Sequence, residues 1–160
     1  MEEKQTQKQT STDTKISPAQ YNEMLKYLDL LDITVSDFSG KLIWRPTSKE
    51  MIFRTPEKVS QPTILGDRAS VTVSYSMEAE ADQKAFLTLR VNFDVSFKLS
   101  GVVTEEFFEI YNATSLPIQT YPYFREFVSW ATVHFGLPQL TLPLRKYLFP
   151  DQKIVIPARD

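Results

Sequence analysis

Cysteine is absent from this 160-residue chain, and histidine occurs once. The first absence excludes a disulfide framework and a thiolate metal site. Together they leave His134 with no thiol partner, and a metal site there would need other ligands. Glycine is scarce, with four in the chain, and none sits in a phosphate-cradling turn. No stretch approaches the roughly 18 apolar residues of a membrane-spanning helix. Charge is nearly balanced, with 18 Lys and Arg against 20 Asp and Glu. With no basic cluster interleaved with aromatics, nucleic acid is not expected as a partner. Glu105, Glu106 and Glu109 cluster, but they read as solvating a loop rather than as a catalytic pair. An enzyme is therefore not expected, nor any cofactor. Residues 1–16 contain no apolar run suited to a secretory signal and read as a disordered tail. Residues 17–150 read as a single domain, 151–160 as a C-terminal tail, and the cytoplasm as the compartment.

What the chain does have is aromatic side chains, including 11 Phe and 7 Tyr. They concentrate between residues 107 and 135. The pattern predicts a long helix over 120–136, with Pro122 in its first turn, Gly136 just past its end and Pro138 preventing continuation. At helical spacing, Tyr121, Phe124, Val128, Ala131 and Phe135 form one stripe. Tyr123, Phe127, Trp130 and His134 form a second, roughly 100° away. Arg125, Glu126, Ser129 and Thr132 share a polar arc. One stripe is enough to dock a helix on a sheet, so the second must meet other parts of the chain, a partner subunit or a hydrophobic ligand.

Upstream, Ser17, Pro18 and Gln20 open a short helix over 18–28 through a capping box with Pro at its first position. Leu31, Ile33 and Val35 start a strand, and Phe38 falls out of step with them, which predicts a bulge or turn near 37–40. Residues 45–69 are broken by Pro46, Pro56 and Pro62. Only 51–54 looks extended there, as one short edge strand. Residues 70–81 and 87–99 then alternate apolar and polar with period two, joined by a turn at Asp82 and Gln83. That is a long antiparallel hairpin with one wet face. Residues 102–118 read as an aromatic crossover loop, 137–144 as a proline-bounded connector, and 144–149 as a short final helix. The order gives an α+β fold with a four-stranded antiparallel sheet. A long and a short C-terminal helix cover one face, and an N-terminal helix is added.

The run Pro122-Tyr123-Phe124-Arg125-Glu126 resembles the Pro-Tyr-x-Arg-Glu that opens the long helix of the SecB family of protein-export chaperones and their SecB-like relatives. Pro138-Gln139-Leu140-Thr141-Leu142 resembles the family's Pro-x-Leu-x-Leu connector, at matching separation. Phe86-Leu87 begins a strand placed like the family's fourth. The resemblance is specific over about residues 85–145 and topological over 28–84, and the N-terminal helix lies outside the family pattern. It implies an ATP-independent holdase for non-native polypeptides, assembled as a dimer of dimers, with apolar grooves between crossover and helices. On that reading the candidate client-binding residues are Phe107, Phe108, Ile110 and Tyr111, with Tyr123, Phe127, Trp130, Leu137 and Leu140. Arg125 and Glu126 would fix the helix or an interface. The family's acidic contact with the motor SecA departs here, because Leu89 occupies a key position, Ser36 does not continue the match at Asp32, and the tail is short. A dedicated client, such as the antitoxin of a toxin–antitoxin pair, is the other family role. Two readings from outside the family are a START-like carrier of a small hydrophobic ligand and a single-partner adaptor.

Overall fold

The computed structural model describes residues 16–47, 50–144 and 154–157. The expected final helix over 144–149 lies almost wholly outside the described residues. The expected disordered tail lies outside them up to residue 15.

The hairpin is the spine of the fold. Strands β5 (Arg68–Ala81) and β6 (Lys84–Leu99) pair antiparallel from Arg68↔Lys98 to Ala81↔Lys84. Their alternation sends Val71, Val73, Tyr75, Met77, Ala79, Leu89, Val91, Phe93, Val95 and Phe97 to one buried face. Polar residues between them face outward, as period two requires. Asp82 and Gln83 both adopt positive φ, at 51° and 62°, which marks a primed two-residue turn.

β1 (Leu28–Leu42) pairs with β6 on the other side. Its register slips at Leu31 and again at Ser36. These two extra residues keep Leu28, Leu30, Ile33, Val35, Phe38 and Leu42 opposite the apolar residues of β6, hence on the same face. The bulge expected near 37–40 therefore sits one residue earlier, and it puts Phe38 back in step.

The fourth lane of the sheet is not one strand. β2 (Glu50–Arg54), β3 (Glu57–Val59) and β4 (Thr63–Leu65) pair in turn along β5, opposite Glu78–Glu80, then Val73–Tyr75, then Arg68–Ser70. Pro56 and Pro62 fall at the two breaks, where a missing N–H interrupts a ladder. β2 is not the edge, because β7 (Ile154–Pro157) from the expected tail pairs with its far side. Among the described residues the order is β1-β6-β5-β2-β7.

Two helices cross the apolar face, with α1 (Pro18–Leu25) beside them. α2 (Glu105–Ala113) lies where a loop was expected. Thr104 caps it by accepting the Phe107 N–H at 3.3 Å, and Glu105 and Glu106 suit its positive end. α3 (Ser115–His134) begins five residues before the expected start. Thr114 serves as the last cap of α2 and the first of α3. Pro117 is thus the first-turn proline, and Pro122 lies inside the helix. The carbonyl that Pro122 cannot bond belongs to Ile118, which is exposed, so water can serve it. The far end matches expectation. Gly136 at φ 68° donates to Val133 O at 2.8 Å and Leu137 N–H reaches Thr132 O at 3.0 Å, a Schellman closure.

Phe107, Phe108, Leu116, Phe124 and Val128 are fully buried between helices and sheet. Phe108→Ala is expected to cost about 3–5 kcal/mol in chemical denaturation, as a buried aromatic lost from a packed core. Gln83→Gly is expected to raise stability by about 0.5–1 kcal/mol by the same measurement, because glycine relieves a left-handed residue in the turn.

Candidate functional site

α3 lies over β5 and β6 and meets β1 only through its outer side chains and Phe135. Phe124 stacks on Tyr75 at 4.7 Å between centroids and 11° between planes. The Tyr75 and Thr120 hydroxyls share a hydrogen bond of 2.8 Å. With the first stripe held there, the second faces sideways over β1. Tyr123 is 46% exposed, Trp130 is 49% exposed, and Phe127 is half-buried. On the strand opposite, Leu30, Val35 and Phe38 present their side chains on the helix side and remain open to solvent. Phe38, at 57% exposure, meets Phe127 at 6.1 Å and Trp130 at 6.4 Å, both edge-on. Tyr123 reaches Phe93 at 6.2 Å. An apolar strip therefore runs between the outer stripe of α3 and the inner face of β1, beside a strand with no neighbour on its other side among the described residues.

The strip deepens at one end into a cleft of about 200 Å³, lined by Phe38, Gly40, Leu89, Phe127, Trp130 and Phe135 among others. Gly40 makes the floor possible, since a Cβ there would stand 2.9 Å from both the Leu89 and Phe135 side chains. His134 closes the rim. Its ring lies 4.3 Å from that of Trp130, and its Nδ1 pairs with the Trp130 carbonyl at 2.8 Å. Arg45 braces the same end. Its guanidinium donates to the Phe135 and Gly136 carbonyls at 2.9 and 2.8 Å, satisfying the negative end of α3.

The candidate residues divide into two groups. Tyr123, Phe127 and Trp130 lie together on the strip. Phe107, Phe108 and Tyr111 do not, because the crossover is a helix whose apolar side is core. Ile110 is half-buried on the same helix. Burial pushes the Tyr111 phenol up to about 12, against the opposing pull of its 2.9 Å bond to Gln119 Oε1. Leu140 is also buried, and Leu137 half-buried. The connector that carries them docks on the arc expected to be polar surface. The Leu140 N–H donates to the Thr132 hydroxyl at 3.1 Å, Arg125 Nε donates to Leu142 O at 2.7 Å, and Gln139 Nε2 donates to Ser129 Oγ at 2.6 Å. Arg125 thus fixes the connector through a carbonyl. Phe38, Val35 and Leu30 were missed as site residues. The out-of-step Phe38 was the signal that could have found them.

The arrangement defines a protein with a two-layer α+β fold, helices on one face of an antiparallel sheet, and a solvent-facing aromatic strip beside an edge strand with no further neighbour among the described residues. Among solved structures, the chain is similar to the Mycobacterium tuberculosis SecB-like chaperone Rv1957 in complex with a ChAD peptide from the HigA1 antitoxin. The TM-score is 0.69 at 21% identity, over 76% of this chain and 93% of that one. The fold is therefore SecB-like. No family model matches the chain, and no curated protein matches it. Among the described residues no helix is long and apolar enough to cross a membrane.

Tyr111 gives this packing a pH signature. Its folded pKa lies above the ordinary value, so its contribution is complete below pH ~10 and is lost as pH rises toward 12. Tyr111→Phe is expected to move the alkaline unfolding transition upward, as followed by circular dichroism against pH.

Proposed function

We propose that the chain is an ATP-independent holdase that binds non-native polypeptide along the strip between α3 and β1. The observation that carries this reading is the half-exposure of Tyr123 and Trp130 beside an exposed Phe38 and an unpaired strand edge. A soluble monomer rarely leaves such a contiguous apolar surface without a partner for it. Shallow aromatic subsites bind by area, at roughly 25 cal/mol per Å², and so accept apolar side chains in no fixed order. An extended backbone can add hydrogen bonds along the free edge of β1. A dimer of dimers is the proposed assembly, and the cytoplasm is the proposed compartment.

A dedicated client fits better than delivery to SecA. Leu89, the position matched to the family's outer-face acidic residue, is in fact buried on the helix side and does not lie on that face, which leaves the mismatch at Ser36. The likeness to a SecB-like chaperone solved with an antitoxin peptide supports the same choice. No catalytic role is part of this reading. The small-ligand carrier finds no support at this strip. Phe124 on Tyr75 fills the space between helix and sheet, and the cleft of about 200 Å³ is below the roughly 300–1,000 Å³ of ligand pockets.

Light scattering, combined with suppression of aggregation of a chemically unfolded protein in the absence of ATP, tests the reading. An oligomer that holds several unrelated clients is expected. A monomer without holding activity would overturn it, and retention of one partner alone would favour an adaptor. The double variant Tyr123→Ser, Trp130→Ser is expected to weaken client binding about tenfold by calorimetry. Its thermal midpoint should move by only a few degrees, since both side chains are half in water.

A further inference from the structure

α1 differs in kind from the other two helices. It is eight residues long and has no fully buried residue. A helix of that length does not persist in water unaided. It is held by Tyr21, Met24 and Leu25, spaced i, i+3, i+4 on its inner side and partly buried against the core. The Tyr21 ring lies 5.2 Å from that of Phe107. The Tyr21 and Ser115 hydroxyls are 3.1 Å apart, and the Thr104 hydroxyl points to the Met24 sulfur at 3.9 Å. Beneath α1, Phe107 is fully buried at the start of α2.

The attachment of α1 to the sheet is, by contrast, firm. Tyr27 O accepts the Ser100 N–H at 2.9 Å. The Tyr27 ring lies so close to Gly101 that a Cβ there would stand 2.6 Å from it. β1 begins at the next residue, Leu28. A weakly held helix thus ends at a fixed point and covers a strongly apolar surface.

We propose that α1 is a displaceable cover over a second client surface, centred on Phe107 and rimmed by the hydroxyls of Thr104 and Ser115. The inference rests on the holdase reading and adds a closed state to it. The present occupant defines the ligand, namely a short amphipathic client segment with an aromatic residue followed by apolar residues three and four places on. Such a segment replaces Tyr21, Met24 and Leu25 when α1 swings away about Tyr27. While the open form is the minor one, apparent affinity scales with its population.

Two exposed substitutions shift that population in opposite directions without altering either contact surface. Ser17→Ala removes the capping box, in which Ser17 Oγ accepts the Gln20 N–H at 3.3 Å and the Ser17 N–H donates to Gln20 Oε1 at 2.8 Å. It is expected to tighten binding of the full-length protein to a reduced, carboxymethylated polypeptide about fivefold, the factor set by loss of a cap. Asn22→Ala strengthens the helix at an exposed position and is expected to weaken binding about two- to threefold. The apolar dye ANS, titrated into the same three proteins, should follow the same order. If the dye follows the order while no protein binds polypeptide, the cover stands and the holdase reading falls. Equal polypeptide affinity and equal dye binding across the three proteins would overturn the cover and leave the holdase reading in place.

Discussion

Everything in this fold depends on where α3 is pinned. Phe124 lies flat on Tyr75, and the buried Thr120 hydroxyl bonds to the phenol of the same tyrosine. Aromatic stacking and a buried hydrogen bond together fix both the position and the rotation of the helix. The helix is thereby committed to β5 and β6, and the inner face of β1 is covered only in part, with Leu30, Val35 and Phe38 left exposed. Rotated by one stripe, α3 would bury Tyr123, Phe127 and Trp130 and expose Phe124 instead. The aromatic strip is thus a consequence of satisfying the core elsewhere.

Around that pin, the chain spends polar side chains on holding irregular segments down. Thr132 takes an N–H from Leu140, Arg125 takes the carbonyl of Leu142, and Arg45 takes the two carbonyls at the end of α3. Each satisfies a backbone group that no regular element could pair. The connector is immobilised in this way, so the end of α3, and with it the cleft under Trp130 and Phe135, has a fixed wall.

Local pattern determined a great deal. Period two over β5 and β6 defined the hairpin, its buried face and its turn, since side chains on a strand have only two sides to choose between. Gly136 and Pro138 defined the end of α3. The capping box defined the start of α1. The second stripe of α3 was legible as apolar surface without a core to meet. The helix over 105–113 was expected as a loop, although Thr104 followed by two glutamates is the pattern of a helix start.

Only the tertiary structure decided the rest, because it concerns which of two apolar surfaces water is excluded from. Phe107, Phe108 and Tyr111 carry the same side-chain chemistry as Tyr123, Phe127 and Trp130. The first three are core because α2 lies between α1 and the sheet, while the last three only partly cover β1 and stay partly in water themselves. The slips at Leu31 and Ser36 depend likewise on matching β6, and the pairing of β7 with β2 joins residues a hundred apart. Sequence alone determined how much apolar surface this protein makes. Its packing decided which part of that surface stays open to water.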